Sequence, residues 1–316
     1  MTTGLQGVRA RLNGRTWSPV GFIYTVDGTA YPGAPFPPVP MVNDGSGFWS
    51  GFAAGIVGGL MNSQDGLWLS RCIGYPAITY PMGPSVTIGR ANLNFAINAD
   101  ATWYFDTYGT YDGLVIVLAG YSQGAMVVNA TYVDDIVNPD GVFHVLQPNI
   151  YRIYNFGDPH RTPGYAFGNT EIAHTPLPPK VDSQVTGGIA GGGDLTPDIT
   201  NLLAPDGRHV LNSFVNPGDL YADAPCGADP WTSEAHTGQV ETQIFQIVQT
   251  ATFINVVSLA KDLGRPIATI EAIINAGKFF AAGMASPHFL YFDAMVAAIN
   301  DALALGNSIP GYRPGY

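Results

Sequence analysis

The sequence predicts an α/β fold, a mostly parallel β-sheet with helices on both faces. Two observations carry this. First, strand-like runs alternate with helix-like runs along the 316 residues. Such alternation builds parallel sheets, because a strand can pair again in the same direction only after a crossover. Second, a β-branched and leucine-rich run, Leu114 to Ala119, stops at Gly120. Gly120-Tyr121-Ser122-Gln123-Gly124 follows, and then a small-residue apolar segment suited to a helix. This is the layout of a sharp strand-to-helix elbow, in which glycines let strand and helix approach closely. The length suits one large domain and allows an inserted subdomain.

Residues 1–19 form a mildly basic, irregular arm. Gly21 to Val26 reads as the first core strand, and Asp27-Gly28-Thr29-Ala30 turns out of it. Tyr31 to Pro40 is too rich in proline for regular structure, and residues 48–61 suit a small helix. Arg71 to Pro76 reads as a short strand and turn. Ser85, after Pro84, is the expected N-cap of a helix running to Ala99. The strand 114–119 and the elbow come next. Ile150 to Phe156 is a clear strand ending in Gly157-Asp158-Pro159, and residues 160–208 are dominated by loops. Val210 to Val215 reads as a further strand, ending in Asn216-Pro217-Gly218-Asp219. Glu241 to Lys261 and Ile267 to Met284 carry apolar residues at helical spacing, and Leu263-Gly264-Arg265-Pro266 separates them. A last helix, Tyr291 to Leu305, precedes a Pro/Gly/Tyr tail.

Composition narrows the function classes. Charged residues make up 12% of the chain, about half the usual share of roughly 25%. The surface is therefore largely neutral and polar, which suits a secreted protein or one packed into a large assembly. The net charge of −11 and the absence of any Lys/Arg cluster beyond Arg9, Arg11 and Arg15 argue against nucleic acid and against an anionic membrane surface. Cys72 and Cys226 could form a disulfide or stay as thiols. No Cys/His spacing suits a metal, and neither metal nor cofactor is expected. The first residues lack the apolar core of a signal peptide, and the apolar stretches are too short to span a bilayer.

The elbow makes Ser122 a candidate nucleophile. A serine hydroxyl needs a base within hydrogen-bond reach, and the base needs an orienting carboxylate. With an elbow serine these follow in the chain order acid, then histidine, each on a loop beyond a strand. Two of the six histidines come after the last expected strand. His236 sits in a polar, glycine-flanked stretch. His288 lies in a loop held by Pro287 between two helices and is the better base. For the acid, Asp158 and Asp219 both occupy turns that follow strands, and the pattern alone leaves both open.

Four segments recur together in this order: Gly120-Tyr121-Ser122-Gln123-Gly124-Ala125, Asn155-Phe156-Gly157-Asp158-Pro159, Gly218-Asp219-Leu220-Tyr221-Ala222 and Pro287-His288-Phe289-Leu290-Tyr291. With Ile73-Gly74-Tyr75-Pro76-Ala77, Pro81-Met82-Gly83-Pro84-Ser85-Val86 and Leu263-Gly264-Arg265-Pro266, they resemble the lysin B proteins of mycobacteriophages, relatives of the cutinases. The resemblance covers roughly residues 20–300. It implies an α/β-hydrolase core over 20–230, an inserted helical subdomain over 231–286, and core completion plus tail over 287–316. It implies a triad of Ser122, Asp219 and His288, with Asp158 a structural turn residue. The oxyanion would be bound by the backbone N–H groups of Gln123 and Thr29. The family carries His-Gly-Thr after its first strand where this chain has Asp27-Gly28-Thr29. A carboxylate there opposes charge developing on the substrate unless it turns away.

The expected activity is a serine esterase cutting the lipid ester between mycolic acids and arabinogalactan in the mycobacterial envelope. The protein would be phage-encoded and either released at host lysis or carried on the virion. The alternative is a structural virion component that keeps the fold and docks on other virion proteins.

Overall fold

The computed structural model describes residues 11–12, 15–16, 21–29, 68–77, 82–180, 185–190, 195–226 and 286–309. Its central sheet has five parallel strands: β1 (Gly21–Val26), β2 (Trp68–Ile73), β3 (Val115–Tyr121), β4 (Ile150–Phe156) and β5 (Leu211–Phe214). They lie in the order β2-β1-β3-β4-β5. The register sets Val26 opposite both Ile73 and Gly120, and Phe156 opposite both Tyr121 and Phe214. The carboxyl ends of the strands therefore finish together, and the loops after β1, β3, β4 and β5 emerge from one edge. The chain reverses its direction of travel across the sheet between β1 and β3. In such sheets the crevice beyond the carboxyl ends at that switch is where ligands bind.

Side chains alternate along each strand, so the sheet has two apolar faces. Phe22, Tyr24, Val26, Ile116 and Leu118 pack with Leu93 and Ile97 of α1 (Met82–Tyr108) and with Val127 and Val128 of α2 (Gln123–Ala130). On the other face Ile23, Val115, Val117, Tyr154, Phe156 and Phe214 pack with Ala298, Ala302 and Leu305 of α3 (Phe292–Ser308). Covered on both sides, β3 is apolar throughout rather than alternating, as central parallel strands are. Against the expectation that every apolar stretch is too short to span a bilayer, the segment Pro287–Ser308 has the length and hydropathy to cross one. Here α3 instead lays one face on the sheet. Its buried Asp301 accepts from Tyr154 Oη at 2.8 Å and from Arg152 Nε at 3.1 Å, and it also pairs with Arg208.

Among the described residues the expected strands and helices follow in order, with shifts at their ends, and the arm expected to be irregular instead pairs Arg11–Leu12 antiparallel with Arg15–Thr16. β2 starts three residues earlier than the sequence predicts, because Trp68 and Leu69 pair with Gly21 and Phe22. Ser85 is not an N-cap. Helix α1 begins at Met82, since Pro84 in a first turn gives up only an N–H that has no helical partner. Ser85 is buried within the helix and donates to Gln123 Oε1 at 3.3 Å. The helix also continues past Ala99 to Tyr108. Cys72 and Cys226 are not joined in a disulfide. The proline-rich 31–40 loop, the 48–61 helix, both helices proposed within 241–284, and His236 lie outside the described residues.

Candidate active site

The elbow follows from close approach of backbone. A Cβ on Gly124 would lie 2.2 Å from the carbonyl oxygen of Val26, and one on Gly120 would lie 2.6 Å from Ala125 Cα. Neither position accepts any other residue. The turn between them holds Ser122 at φ 54°, ψ −119°, a conformation that costs a non-glycine residue about 1–3 kcal/mol. Two backbone bonds hold it there. Ser122 N–H donates to Phe156 O at 2.9 Å, and Ser122 O accepts from Ala125 N–H at 3.0 Å. The hydroxyl is thereby aimed at the histidine loop, with Oγ 2.9 Å from His288 Nε2.

His288 lies in a single 3₁₀ turn, Pro287–Phe289, directly before α3. Tyr121 Oη donates to its carbonyl at 2.8 Å, and the Tyr121 and Tyr221 rings lie 5.1 and 4.7 Å from the imidazole. Its Nδ1 is 3.0 Å from each carboxylate oxygen of Asp219. These partners assign the tautomer: an Nδ1–H donates to the carboxylate, and Nε2 is left to accept from the serine hydroxyl. Asp219 is fully buried and has further donors, Tyr221 N–H at 2.9 Å and Tyr291 Oη at 2.6 Å. A buried carboxylate is tolerable only with such partners.

The structure thus brings Ser122, His288 and Asp219 into one hydrogen-bonded line and sets Asp158 apart. Asp158 turns toward α2, accepting from Asn129 Nδ2 at 2.9 and 3.0 Å and from His160 N–H at 2.8 Å. Burial pushes its carboxyl up. Its neighbour Gly157 has a direct bearing on the site. At φ 58°, a Cβ there would lie 2.8 Å from His288 Cε1 and 3.1 Å from Asp219 Oδ2. Gly157→Ala is therefore expected to displace the imidazole and lower kcat/KM for p-nitrophenyl butyrate about 10²-fold. Steady-state kinetics on the folded variant checks this.

The loop after β1 lies against the elbow, since a Cβ on Gly28 would approach Ser122 Cβ to 3.1 Å. Asp27 does not project into open solvent. Its Oδ1 accepts from Gly28 N–H at 3.0 Å, while Tyr75 Oη donates to its carbonyl at 2.7 Å. Thr29 follows, half-buried. Gln123 opens α2, where a first-turn N–H has no intrahelical acceptor. Its side chain is drawn aside by Ser85. Among the described residues no group of His, Cys, Asp or Glu could hold a metal ion. Sequence reasoning missed Gly157, Tyr221 and Tyr291. Each lies within three residues of an expected site residue, and that proximity was the available signal.

No protein-family model matches the chain. It is 32% identical over 225 residues to Endolysin B of Mycobacterium phage L5, covering 67% of this chain and 77% of that protein. The chain belongs to the endolysin B family. A second endolysin B, from Mycobacterium phage D29, is 30% identical over 219 residues, 66% of this chain and 74% of its own length. The crystal structure of lysin B from mycobacteriophage D29 superposes with a TM-score of 0.56 at 22% identity. That match covers 90% of this chain and 99% of the other. The endolysin B fold seen here is the α/β-hydrolase one, a parallel sheet flanked by helices.

Proposed function

We propose that this endolysin B is a serine esterase that hydrolyses the ester joining mycolic acids to arabinogalactan in the mycobacterial envelope, and that it is released at host lysis. The observation that carries the reading is the line Ser122–His288–Asp219 at the switch point of the sheet, with contacts of 2.9 and 3.0 Å. The endolysin B relatives of two mycobacterial phages support the choice of substrate.

In this reading Ser122 Oγ attacks the ester carbonyl while His288 Nε2 takes its proton, and Asp219 steadies the resulting imidazolium. The backbone N–H groups of Gln123 and Thr29 receive the developing oxyanion. His288 returns the proton to the departing sugar oxygen. The acyl-enzyme is then opened by a water that His288 deprotonates, which frees the mycolate and Ser122.

The test has two arms. A fluorophosphonate should add once, at Ser122 by peptide mass, and block hydrolysis of p-nitrophenyl butyrate. Purified mycolyl-arabinogalactan should release free mycolate. Labelling elsewhere overturns the nucleophile, and ester turnover without mycolate release overturns the substrate. Asp27→Asn keeps an acceptor for Gly28 N–H but removes a charge beside the oxyanion site. It is expected to raise kcat/KM about 5-fold, the effect of roughly 1 kcal/mol at a well-solvated distance, and the same butyrate assay measures it.

A further inference from the structure

We propose that Tyr291 is a positioning residue for the acid–base pair, its buried phenol O–H fixing the Asp219 carboxylate in the orientation that presents both oxygens to His288. The proposal rests on the esterase reading above. Tyr291 Oη donates to Asp219 Oδ2 at 2.6 Å and accepts from Asn216 N–H at 3.2 Å. Asn216 in turn donates through Nδ2 to Pro287 O at 2.8 Å and Leu290 O at 3.1 Å, the two ends of the turn that carries His288. One phenol therefore joins the acid loop after β5 to the histidine loop before α3. The ring is held from behind by Phe156, 6.1 Å away, and from the side by Tyr121, 6.3 Å away. It is 2% exposed, and burial raises its pKa well above the ordinary phenol value. It stays a donor across the working pH range.

Two consequences separate this role from simple packing. A carboxylate freed from its donor on Oδ2 can rotate, which loosens the imidazole without touching the substrate site. The phenol also draws negative charge off Asp219, so its loss makes the carboxylate a better partner for imidazolium and moves protonation of the pair to higher pH. Among the described residues, the other titratable groups facing the pair are Tyr121 and Tyr221 beside the imidazole and Asp223 behind the acid loop. Asp223 is turned to Gly218 N–H at 2.8 Å, with Arg161 beyond it.

Tyr291→Phe keeps the ring and removes the hydroxyl. The expected result is a kcat for p-nitrophenyl butyrate about ten-fold lower, as for loss of a hydrogen bond to a charged group. KM should stay within two-fold, and the acidic midpoint of the kcat/KM profile should move up by roughly 0.5–1 pH unit. Unchanged kcat and midpoint in an active protein overturn the proposal alone. Wild type without Ser122-dependent turnover overturns the esterase reading. The contact is then read without catalysis, by NMR titration of the His288 ring signals assigned with His288→Gln. There an upward shift in Tyr291→Phe is expected, and an unmoved midpoint overturns the proposal.

Discussion

Replacing Ser122 with alanine is expected to lower kcat for p-nitrophenyl butyrate by about 10⁵–10⁶-fold, the scale seen when a nucleophile acting in a triad is removed. The residual rate should come from oxyanion donors and binding alone, so adding His288→Ala to the Ser122→Ala variant should cost little more. That non-additivity is the sharper measurement, since it reports groups that act as one unit. Stability separates this loss from unfolding. Ser122 makes its backbone bonds to Phe156 and Ala125 through atoms that alanine retains, so the melting temperature should stay close to wild type. Ser122→Gly should be equally inactive yet more stable by about 1 kcal/mol, because glycine adopts φ 54° without a Cβ penalty. A Ser122→Ala enzyme that keeps one hundredth of wild-type turnover would remove Ser122 from the nucleophile's role.

The parts of this site written in local pattern are legible in the sequence. The elbow is, because glycine on both sides of a serine after a β-branched run has few other backbone solutions. β4 is, because Ile150 to Phe156 is apolar enough to be a strand in any neighbourhood, and it spans those residues. The choice between Asp158 and Asp219 is not. Both follow a strand and a glycine, and what separates them is which neighbouring loop faces His288. Here Gly157 slides beneath the imidazole and sends Asp158 toward Asn129. Ser85 misled for a related reason: a serine after proline is a fair cap locally, and only its packing against Gln123 makes it a buried helical residue. For Tyr291 the sequence offers only its nearness to His288 as a signal, because its partner, Asp219, is 72 positions away.

Replacing Asp301 with alanine is expected to destabilise the protein by about 3 kcal/mol, the lower end of the roughly 3–5 kcal/mol for breaking a buried ion pair from one side. Arg152 is almost wholly buried, and Asp301 and Asp206 are the carboxylates that face its guanidinium. Burial disfavours the Arg152 charge, but Asp206, Tyr154 and Asp301 together more than offset that, holding its pKa above the ordinary value. With Asp301 gone, Asp206 still compensates part of the charge, which is why the lower figure applies. Tyr154 and Arg208 lose an acceptor as well. The fall in Tm should be roughly 6–12 °C for a domain of this size. Acid should reproduce part of it. Burial pushes the Asp206 carboxyl up, but hydrogen bonds and charge from Arg152 outweigh that and hold it below the ordinary value. A carboxylate whose folded pKa is depressed stabilises the fold above about pH 3.9 and loses that contribution as pH falls through the folded value. The double variant Arg152→Met, Asp301→Leu should recover much of the lost stability, since apolar groups of similar size replace buried pairs at little cost. Because α3 starts at Phe292, directly after His288 and Tyr291, the single variant should also inactivate at a lower temperature than wild type, in step with its melting curve. A Tm within 2 °C of wild type would mean that α3 is held to the sheet by its apolar face alone.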